Sequence, residues 1–355
     1  MIHLERLIKS CHRFSGSFRN PADPSGHHRE LLTVIIGLLL LVGWVHQTDA
    51  ASLMYFEAQA VAGYSSAEDK AVYASKDAHD VMQKPSLGFD LLHRFTGESG
   101  DRGAFALQAR IAYDTQDDEK DAELQLYNAF FKYKAGFSDL WIGHNRPALG
   151  LSSYFDSHGL LLDTLAMNGF GYDRDWGAGA YRDFEWGNAA FSITTGSGMP
   201  VYFKGNYLAS VRISRGVLVQ DNFNTGITLT YGKTLETMGY NLIMDEPKET
   251  ALVGADGTWL WDNFETRLEV MGGRNREEDA KALFLRFGIH LLEEGRLTLE
   301  IQPMYVKIGT VENTILSAGP SYQLTADLTL RAMYQYDEER DDHRMMFQVY
   351  WYSRL

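Results

Sequence analysis

The sequence is short of cysteine and of long apolar runs. Its single cysteine, Cys11, lies in the N-terminal segment that we predict below to be cleaved, so the mature protein can form no disulfide and no thiolate metal site. No glycine-rich phosphate loop, zinc-ligand spacing or haem-attachment motif occurs, and no cofactor is implied. Asp and Glu (47) outnumber Lys and Arg (33), which argues against nucleic acid as a partner.

The first fifty residues have the pattern of a secretory signal. The apolar run 31–45 is shorter than the ~20 residues of a spanning helix, and small residues follow at Thr48-Asp49-Ala50. Five basic residues precede the run: Arg6, Lys9, Arg13, Arg19 and Arg29. We predict a signal peptide over 1–50, cleaved after Ala50, and an outer-membrane domain over 51–355. An uncleaved inner-membrane anchor is the alternative, and either one exports the chain.

The last eleven residues alternate between an apolar and a polar face. One face carries Met345, Phe347, Val349, Trp351, Ser353 and Leu355, and the other carries Met346, Gln348, Tyr350, Tyr352 and Arg354. An amphipathic, aromatic-rich strand at this position is typical of the closing strand of an outer-membrane barrel. The remaining chain is rich in aromatic residues and glycine, which suits a barrel that spans lipid without a long apolar run.

Alternation with a period of two, broken at Gly, Asn and Asp, predicts sixteen strands. They lie at about 52–64, 86–96, 103–113, 122–134, 138–146, 174–185, 188–196, 205–215, 223–232, 250–261, 264–272, 281–291, 296–306, 313–323, 327–336 and 343–354. Connections after even-numbered strands are mostly tight and those after odd-numbered strands mostly longer, as in barrels with periplasmic turns and extracellular loops. The predicted fold is all-β, a 16-stranded antiparallel transmembrane β-barrel with an inward-folded third loop.

The two faces of the predicted strands differ in character. Aromatic residues near strand ends fall on the predicted outward faces: Tyr113, Tyr207, Tyr231, Trp259, Trp261, Tyr336 and Trp351. Such positions suit the interfacial girdles of a barrel in lipid. A large secreted β-sandwich shows the same alternation and is the alternative, but its dry core would not tolerate the charges on the opposite faces.

Basic and acidic residues share the predicted inner faces. They are Arg110, Arg212, Arg267, Arg286, Arg331 and Arg344, with Asp256, Glu265, Glu269 and Glu300. Opposite charges on facing walls would set a transverse field across a pore and tune its ion preference. The alternative is that these residues only pair with neighbours on adjacent strands.

The third long loop, about 147–172, is less charged than the others. Its apolar residues are Phe155, Leu160, Leu161, Leu162, Leu165, Met167 and Phe170. Their exposure to water would be unfavourable, so we expect the loop to fold into the lumen and narrow it. Polar groups expected to face a passing solute are Arg146, Asp156, His158, Asp163 and Arg174. The alternative is that they cap turns and a short helix.

Four segments around this loop resemble the phosphate-selective porin family. They are Lys132-Tyr133-Lys134, Leu140-Trp141-Ile142-Gly143-His144-Asn145-Arg146-Pro147-Ala148-Leu149-Gly150, Asp173-Arg174-Asp175-Trp176-Gly177 and Thr194-Thr195-Gly196-Ser197-Gly198. The resemblance covers about residues 120–215 and implies a sixteen-stranded, commonly trimeric porin in the outer membrane. Phosphate selectivity does not carry over, because the predicted lumen mixes both signs and the chain is acidic.

Three functions remain open. The first is a passive porin for small hydrophilic solutes and ions, with no enzymatic activity. The second is a sheath around a periplasmic partner such as a multihaem cytochrome, which needs a wide lumen with the third loop held aside. The third is a barrel lipase or protease built from Ser152, Ser153, Asp156 and His158.

Acidic clusters recur in the other loops, at 117–119, 277–279, 337–339 and 341–342. They would bridge to lipopolysaccharide through divalent cations, or only keep the exposed loops soluble. The expected partners are therefore outer-membrane lipid, lipopolysaccharide, small ions and solutes, and two further copies of the chain in a homotrimer.

Overall fold

The computed structural model describes residues 51–75, 83–98, 100–113, 122–156 and 158–355. The predicted signal peptide, 1–50, and the acidic cluster at 117–119 lie outside the described residues. Sixteen strands form one sheet: β1 Ala51–Ser65, β2 Ser86–Gly97, β3 Gly100–Tyr113, β4 Ala122–Lys134, β5 Asp139–Asn145, β6 Asp175–Phe184, β7 Gly187–Thr194, β8 Tyr207–Arg215, β9 Phe223–Met238, β10 Asn241–Trp261, β11 Phe264–Asn275, β12 Glu278–Leu291, β13 Leu297–Ile308, β14 Val311–Gln323, β15 Leu328–Asp337 and β16 Asp342–Arg354.

The sheet closes on itself between the first and last strands. β1 pairs with β2 along 51–59 and with β16 along 55–65, and every other strand pairs with its neighbours in the sequence, always antiparallel. A short extra strand of the same sheet, Lys70–Val72, folds back onto residues 63–65 of β1, beyond the part of β1 that pairs with β2. The prediction of a closed sixteen-stranded antiparallel barrel is confirmed, because the first strand pairs with the last.

Among the residues that the structure describes, helical structure is limited to single turns. α1 spans Leu218–Asp221 between β8 and β9, and 3₁₀ turns lie at Leu151–Ser153, Ala166–Asn168 and Glu293–Gly295. None of the helices in the described part of the chain is long and apolar enough to cross a bilayer.

The predicted division into two faces holds along the strands. In β12, Leu283 and Phe287 point outward and are 43% and 46% exposed, whereas Phe284 and Arg286 between them are buried on the inside. β16 shows the same pattern, with Phe347 exposed outside. The barrel thus presents an apolar band to its surroundings and keeps its charged side chains inside, the distribution required of a sheet that spans lipid.

The two rims of the barrel differ in their connections. Even-numbered strands are followed by short turns, except for the connection 216–222 that contains α1, and these connections define the turn rim. The connections after β1, β3, β5 and β7 are long, at 66–85, 114–121, 146–174 and 195–206, and they define the loop rim. The later loop-rim connections are tight hairpins at 239–240, 276–277, 309–310 and 338–341, so the expected longer loops are wrong for this half of the barrel.

The β9–β10 hairpin extends well beyond the predicted strands, which left 233–249 as a loop. Pairing continues to Met238 and Asn241 around a tip at Gly239, whose φ of 57° is readily adopted by glycine. Pro247 lies in a bulge between Met244 and Lys248, where a residue without a backbone N–H is tolerated.

Candidate pore constriction

The third loop, residues 146–174, lies inside the barrel because its apolar residues are buried there. Leu149, Leu151, Phe155, Leu165 and Phe170 pack in one cluster. The wall contributes inward residues of β10–β14 to this cluster: Leu252, Met271, Ala280, Ala282, Phe284, Met304 and Ile315. Each fully buried Leu or Phe stabilises such an arrangement by about 1.5–3 kcal/mol relative to exposure. This cluster holds one side of the loop against the β10–β14 part of the wall.

A second apolar cluster holds the loop to a different part of the wall. Leu161 and Leu162 are buried against Val61 of β1, Met333 of β15 and Met346 of β16. These strands come from the two ends of the chain and meet where the ring closes. The loop therefore crosses the lumen from the β10–β14 wall to the β15–β1 wall.

Backbone groups of the loop find partners on the inner faces of the strands. The amide of Leu151 donates to the Glu269 carboxylate of β11 at 3.1 Å. The carbonyl of Asp163 accepts from the Gln302 amide of β13 at 3.0 Å. Buried backbone groups need such partners, so these polar wall residues serve the loop rather than a passing solute.

Two aromatic residues of the loop are clamped by wall arginines. The Arg267 and Arg286 guanidiniums lie 3.7 Å and 5.0 Å from the Phe155 ring centroid. Arg212 lies 4.5 Å from the Tyr154 ring centroid and pairs with Asp256 at 2.6 Å. Cation–π contacts of this kind gain strength when water is excluded. Three of the predicted lumen arginines thus anchor the loop.

An ion-paired cluster forms where the loop leaves and rejoins the wall. Asp156 lies 2.5 Å from Arg146 and 3.2 Å from Arg174, and Arg174 also pairs with Asp173 at 2.8 Å. Desolvation raises the pKa of Asp156, but the two guanidiniums outweigh it and lower the pKa to about 2. This carboxylate is therefore charged throughout the neutral and mildly acidic range.

A bulge in β4 adds two side chains to this region. Gln108 pairs with Asn128 and Ala109 pairs with Leu126, so Tyr127 is the extra residue. A bulge re-aims neighbouring side chains. No Gly or Pro marks the position, and the one sequence signal is that alternation stops at Tyr127-Asn128.

Tyr127 and Asn128 both reach the ion-paired cluster. The Arg110 and Arg174 guanidiniums lie 5.0 Å and 5.4 Å from the Tyr127 ring centroid, and the His158 ring meets it edge-on at 4.3 Å. The Asn128 side-chain oxygen Oδ1 accepts from Arg174 Nε at 3.0 Å. Sequence reasoning missed both residues, although they position the predicted Arg174.

Besides Tyr127, His158 contacts Glu57 of the wall, which sequence reasoning also missed. Its Nε2 lies 2.8 Å from the Glu57 carboxylate of β1, which is 1% exposed and 3.9 Å from Arg110. The Ser153 hydroxyl donates to the Gly150 carbonyl instead, and neither Ser152 nor Ser153 is hydrogen-bonded to His158 among the described residues. The residues proposed for a hydrolase are therefore not arranged as a triad.

The ten predicted site residues fall into three groups. Five gather at the cluster and its border: Arg110, Arg146, Asp156, His158 and Arg174. Three clamp the loop: Arg212, Arg267 and Arg286. Arg331 donates to Gln348 at 2.8 Å on the β15–β16 wall, and Asp163 lies on the part of the loop bound to β13.

Two cavities lie on either side of the cluster. The one toward the loop rim measures about 500 Å³, and the one toward the turn rim about 380 Å³. Arg174 and Tyr127 line the first, whereas Arg146 and Asn128 line the second. The ion-paired cluster is thus the boundary between two spaces that open toward opposite rims.

Comparison with known proteins identifies the fold. No protein-family model and no curated protein sequence matches the chain. OmpF of Salmonella typhi, in complex with daunomycin, is similar with a TM-score of 0.61 at 10% identity, over 86% of this chain and 98% of that one. An anion-selective porin from Comamonas acidovorans is similar with a TM-score of 0.59 at 10% identity, over 86% and 100%.

A third similar structure is OmpT, an outer membrane protein of Vibrio cholerae, without its loop L8. Its TM-score is 0.59 at 11% identity, over 85% of this chain and 99% of that one. The chain has the porin fold. At such identities the likeness shows the fold alone, and membership of the phosphate-selective family stays a prediction.

Proposed function

We propose that the protein is an outer-membrane porin, a water-filled channel through which ions and small hydrophilic solutes diffuse passively. The observation that carries this proposal is the loop that crosses the lumen and separates two cavities by a charged cluster. A closed barrel with an apolar outer band and a polar interior is suited to conduct between two aqueous compartments.

The orientation follows from the two rims. Short turns are typical of the periplasmic side and longer loops of the extracellular side, so the loop rim would face outward. Outer-membrane lipid would cover the apolar band, and the acidic loop-rim residues would meet lipopolysaccharide. A homotrimer is part of this proposal, and OmpT of Vibrio cholerae is recorded in a trimer form.

The charges at the boundary indicate only a weak ion preference. Arg146 and Arg174 are matched there by Asp156 and Asp173, two of each sign. A channel that prefers anions or cations needs an excess of one sign at its narrowest part. The structure therefore gives no support for phosphate selectivity.

The sheath hypothesis lacks the geometry that it requires. A partner inside the lumen needs the third loop to lie aside, whereas this loop contacts β1, β15, β16 and the β10–β14 wall. The loop occupies the space that a periplasmic partner would fill.

The test is single-channel recording of the purified chain in a planar bilayer, with the reversal potential measured across a salt gradient. We expect discrete conductance steps and a small reversal potential. Correctly folded protein that gives no steps would refute the channel. Cross-linking in detergent, read as one, two or three copies, tests the trimer separately.

A further inference from the structure

A second element, far from the third loop in the sequence, also spans the loop-rim mouth of the barrel. β9 pairs with β8 up to Lys233–Tyr207, and β10 pairs with β11 from Ala251. Residues 234–248, here called the strap, extend past both neighbours. Its tip is Gly239-Tyr240.

The strap is tied to β4, although four strands separate β4 from β9 around the ring. The Tyr240 hydroxyl accepts from the Leu126 amide at 2.5 Å and donates to the Leu126 carbonyl at 3.1 Å. β5 pairs with β4 only along 129–134, so Leu126 lies beyond the end of β5. The Tyr240 hydroxyl therefore makes the hydrogen bonds to the Leu126 backbone that β5 would make if it extended this far.

The strap is irregular where it leaves the barrel. The β9–β10 register shifts twice, between Thr234 and Glu236 and between Glu236 and Thr237. Bulges bend a strand and increase its twist. The base of the strap is held by hydrogen bonds: the Leu235 amide donates to the Gly196 carbonyl at 2.9 Å, and the Thr237 hydroxyl donates to the Ser197 carbonyl at 3.0 Å. Two ion pairs add to them, Arg276 with Glu236 and Lys204 with Asp245 at 3.0 Å.

The strap borders the larger cavity. Its residues in the lining are Thr234, Leu235, Glu236, Thr237, Gly239 and Lys248. The same cavity ends at Tyr127 and Arg174, the loop-rim side of the ion-paired cluster. A solute coming from the loop rim would pass the strap before it reaches the cluster.

We propose that residues 234–248 form a hinged strap whose Tyr240–Leu126 contact restricts entrance to the channel from the loop rim. The inference rests on the proposed channel function. Bending beyond Thr237 would free the tip, because the tip is held to β4 through one side chain, whereas Leu235 and Thr237 stay bound to Gly196 and Ser197. The third loop would stay in place, since separate clusters bury it and its Tyr172 contacts Leu235, which does not move.

The first test compares Tyr240→Phe with the unaltered chain. The substitution keeps the ring and removes the hydroxyl, and Tyr207→Phe on the outer face of β8 is the matched control. We expect hydrogen exchange over 238–248 to rise by about five- to 150-fold, the factor of the two hydrogen bonds that the hydroxyl makes. If the bound strap restricts entrance, the channel has a lower conductance while the tip is bound to β4. We expect the time that the channel spends in this lower-conductance state to fall by a similar factor. Tyr207→Phe should change neither quantity.

The second test locks the strap. Residues 51–355 contain no cysteine, so Leu126→Cys with Tyr240→Cys supplies two thiols for a reducible bis-thiosulfonate linker. Conductance should be lower in the linked protein and should rise at least to that of the unaltered chain when the linker is reduced. Each single variant treated with the same reagent controls for modification alone.

The outcomes separate the strap from the channel. Unchanged hydrogen exchange in Tyr240→Phe would overturn the contact, whether or not the protein conducts. Two results together would overturn the proposal that the strap restricts entrance. They are Tyr240→Phe with increased hydrogen exchange but unchanged conductance, and a linked protein whose conductance does not change when the linker is reduced. An unaltered chain that conducts in no condition would refute the proposed function, and control of entrance would fail with it.

Discussion

Replacement of Asp156 by Asn should turn the boundary between the two cavities anion-selective. The substitution preserves shape and leaves Arg146 and Arg174 against a single remaining carboxylate, Asp173. Arg174 keeps its 2.8 Å partner Asp173 and its Asn128 contact, so its position should hold. The cluster then carries one net positive charge where it was balanced.

The size of the effect follows from Coulomb's law. An ion passing at about 4 Å from a unit charge gains or loses about 1 kcal/mol in water-like surroundings. Asp156 is 51% exposed, so this lower value applies rather than the larger one for a buried charge. Because anions gain what cations lose, the permeability ratio should change by about thirtyfold at low salt. At 1 M salt, where the Debye length is about 3 Å, most of the change should disappear.

The assay is the reversal potential of single channels across a salt gradient, for the unaltered chain and for Asp156→Asn. Asp262→Asn is the matched control, since Asp262 is an exposed carboxylate at the β10–β11 turn with φ of 50°, which Asn also adopts. A ratio that changes by less than about twofold, or equally in the control, would refute the placement of Asp156 on the conduction path.

Further outcomes follow from the same contacts. In the unaltered chain the pKa of Asp156 is lowered to about 2, so its contribution to selectivity is fully present above pH 4 and is lost as pH falls through about 2; reversal potentials from pH 7 to pH 2 check this. Phe155→Ala should lower the free energy of unfolding by about 3–5 kcal/mol in urea titrations, because it removes a buried ring clamped by Arg267 and Arg286. Retained stability would contradict the clamp. Asn128→Ala should increase current noise through loss of the Arg174 contact, and noise equal to that of the unaltered chain would show that Arg174 is held without it.

The barrel itself could be predicted because its strands repeat one simple pattern. Each strand must present apolar residues to one side and polar residues to the other, as Leu283 and Arg286 do in β12, and this requirement appears in the sequence with a period of two. The third loop was also predictable, since a segment with Phe155 and Leu165 is unfavourable in water and the lumen was the remaining place to bury it.

The partners of the predicted side chains were not predictable. Glu57 meets His158, and Tyr240 meets Leu126, across more than one hundred residues of sequence, so nothing local indicates either contact. The arginines expected to line an open pore were assigned to the correct face, but alternation cannot distinguish a lumen filled with water from one filled by a loop. The bulge at Tyr127 inserts one unpaired residue into an otherwise regular β3–β4 ladder, and no Gly or Pro in the sequence indicates it.

The packing of the third loop has a consequence for the assembly of the barrel. Leu161 and Leu162 rest on Val61 near one end of the barrel and on Met346 near the other, two residues brought together only when β1 joins β16. Before that pairing, Leu161 and Leu162 lack part of the surface they pack on, and we expect proteases to cleave the loop more readily. Protection of the loop from cleavage would then report completed assembly, because closing the ring also completes the surface that holds the loop.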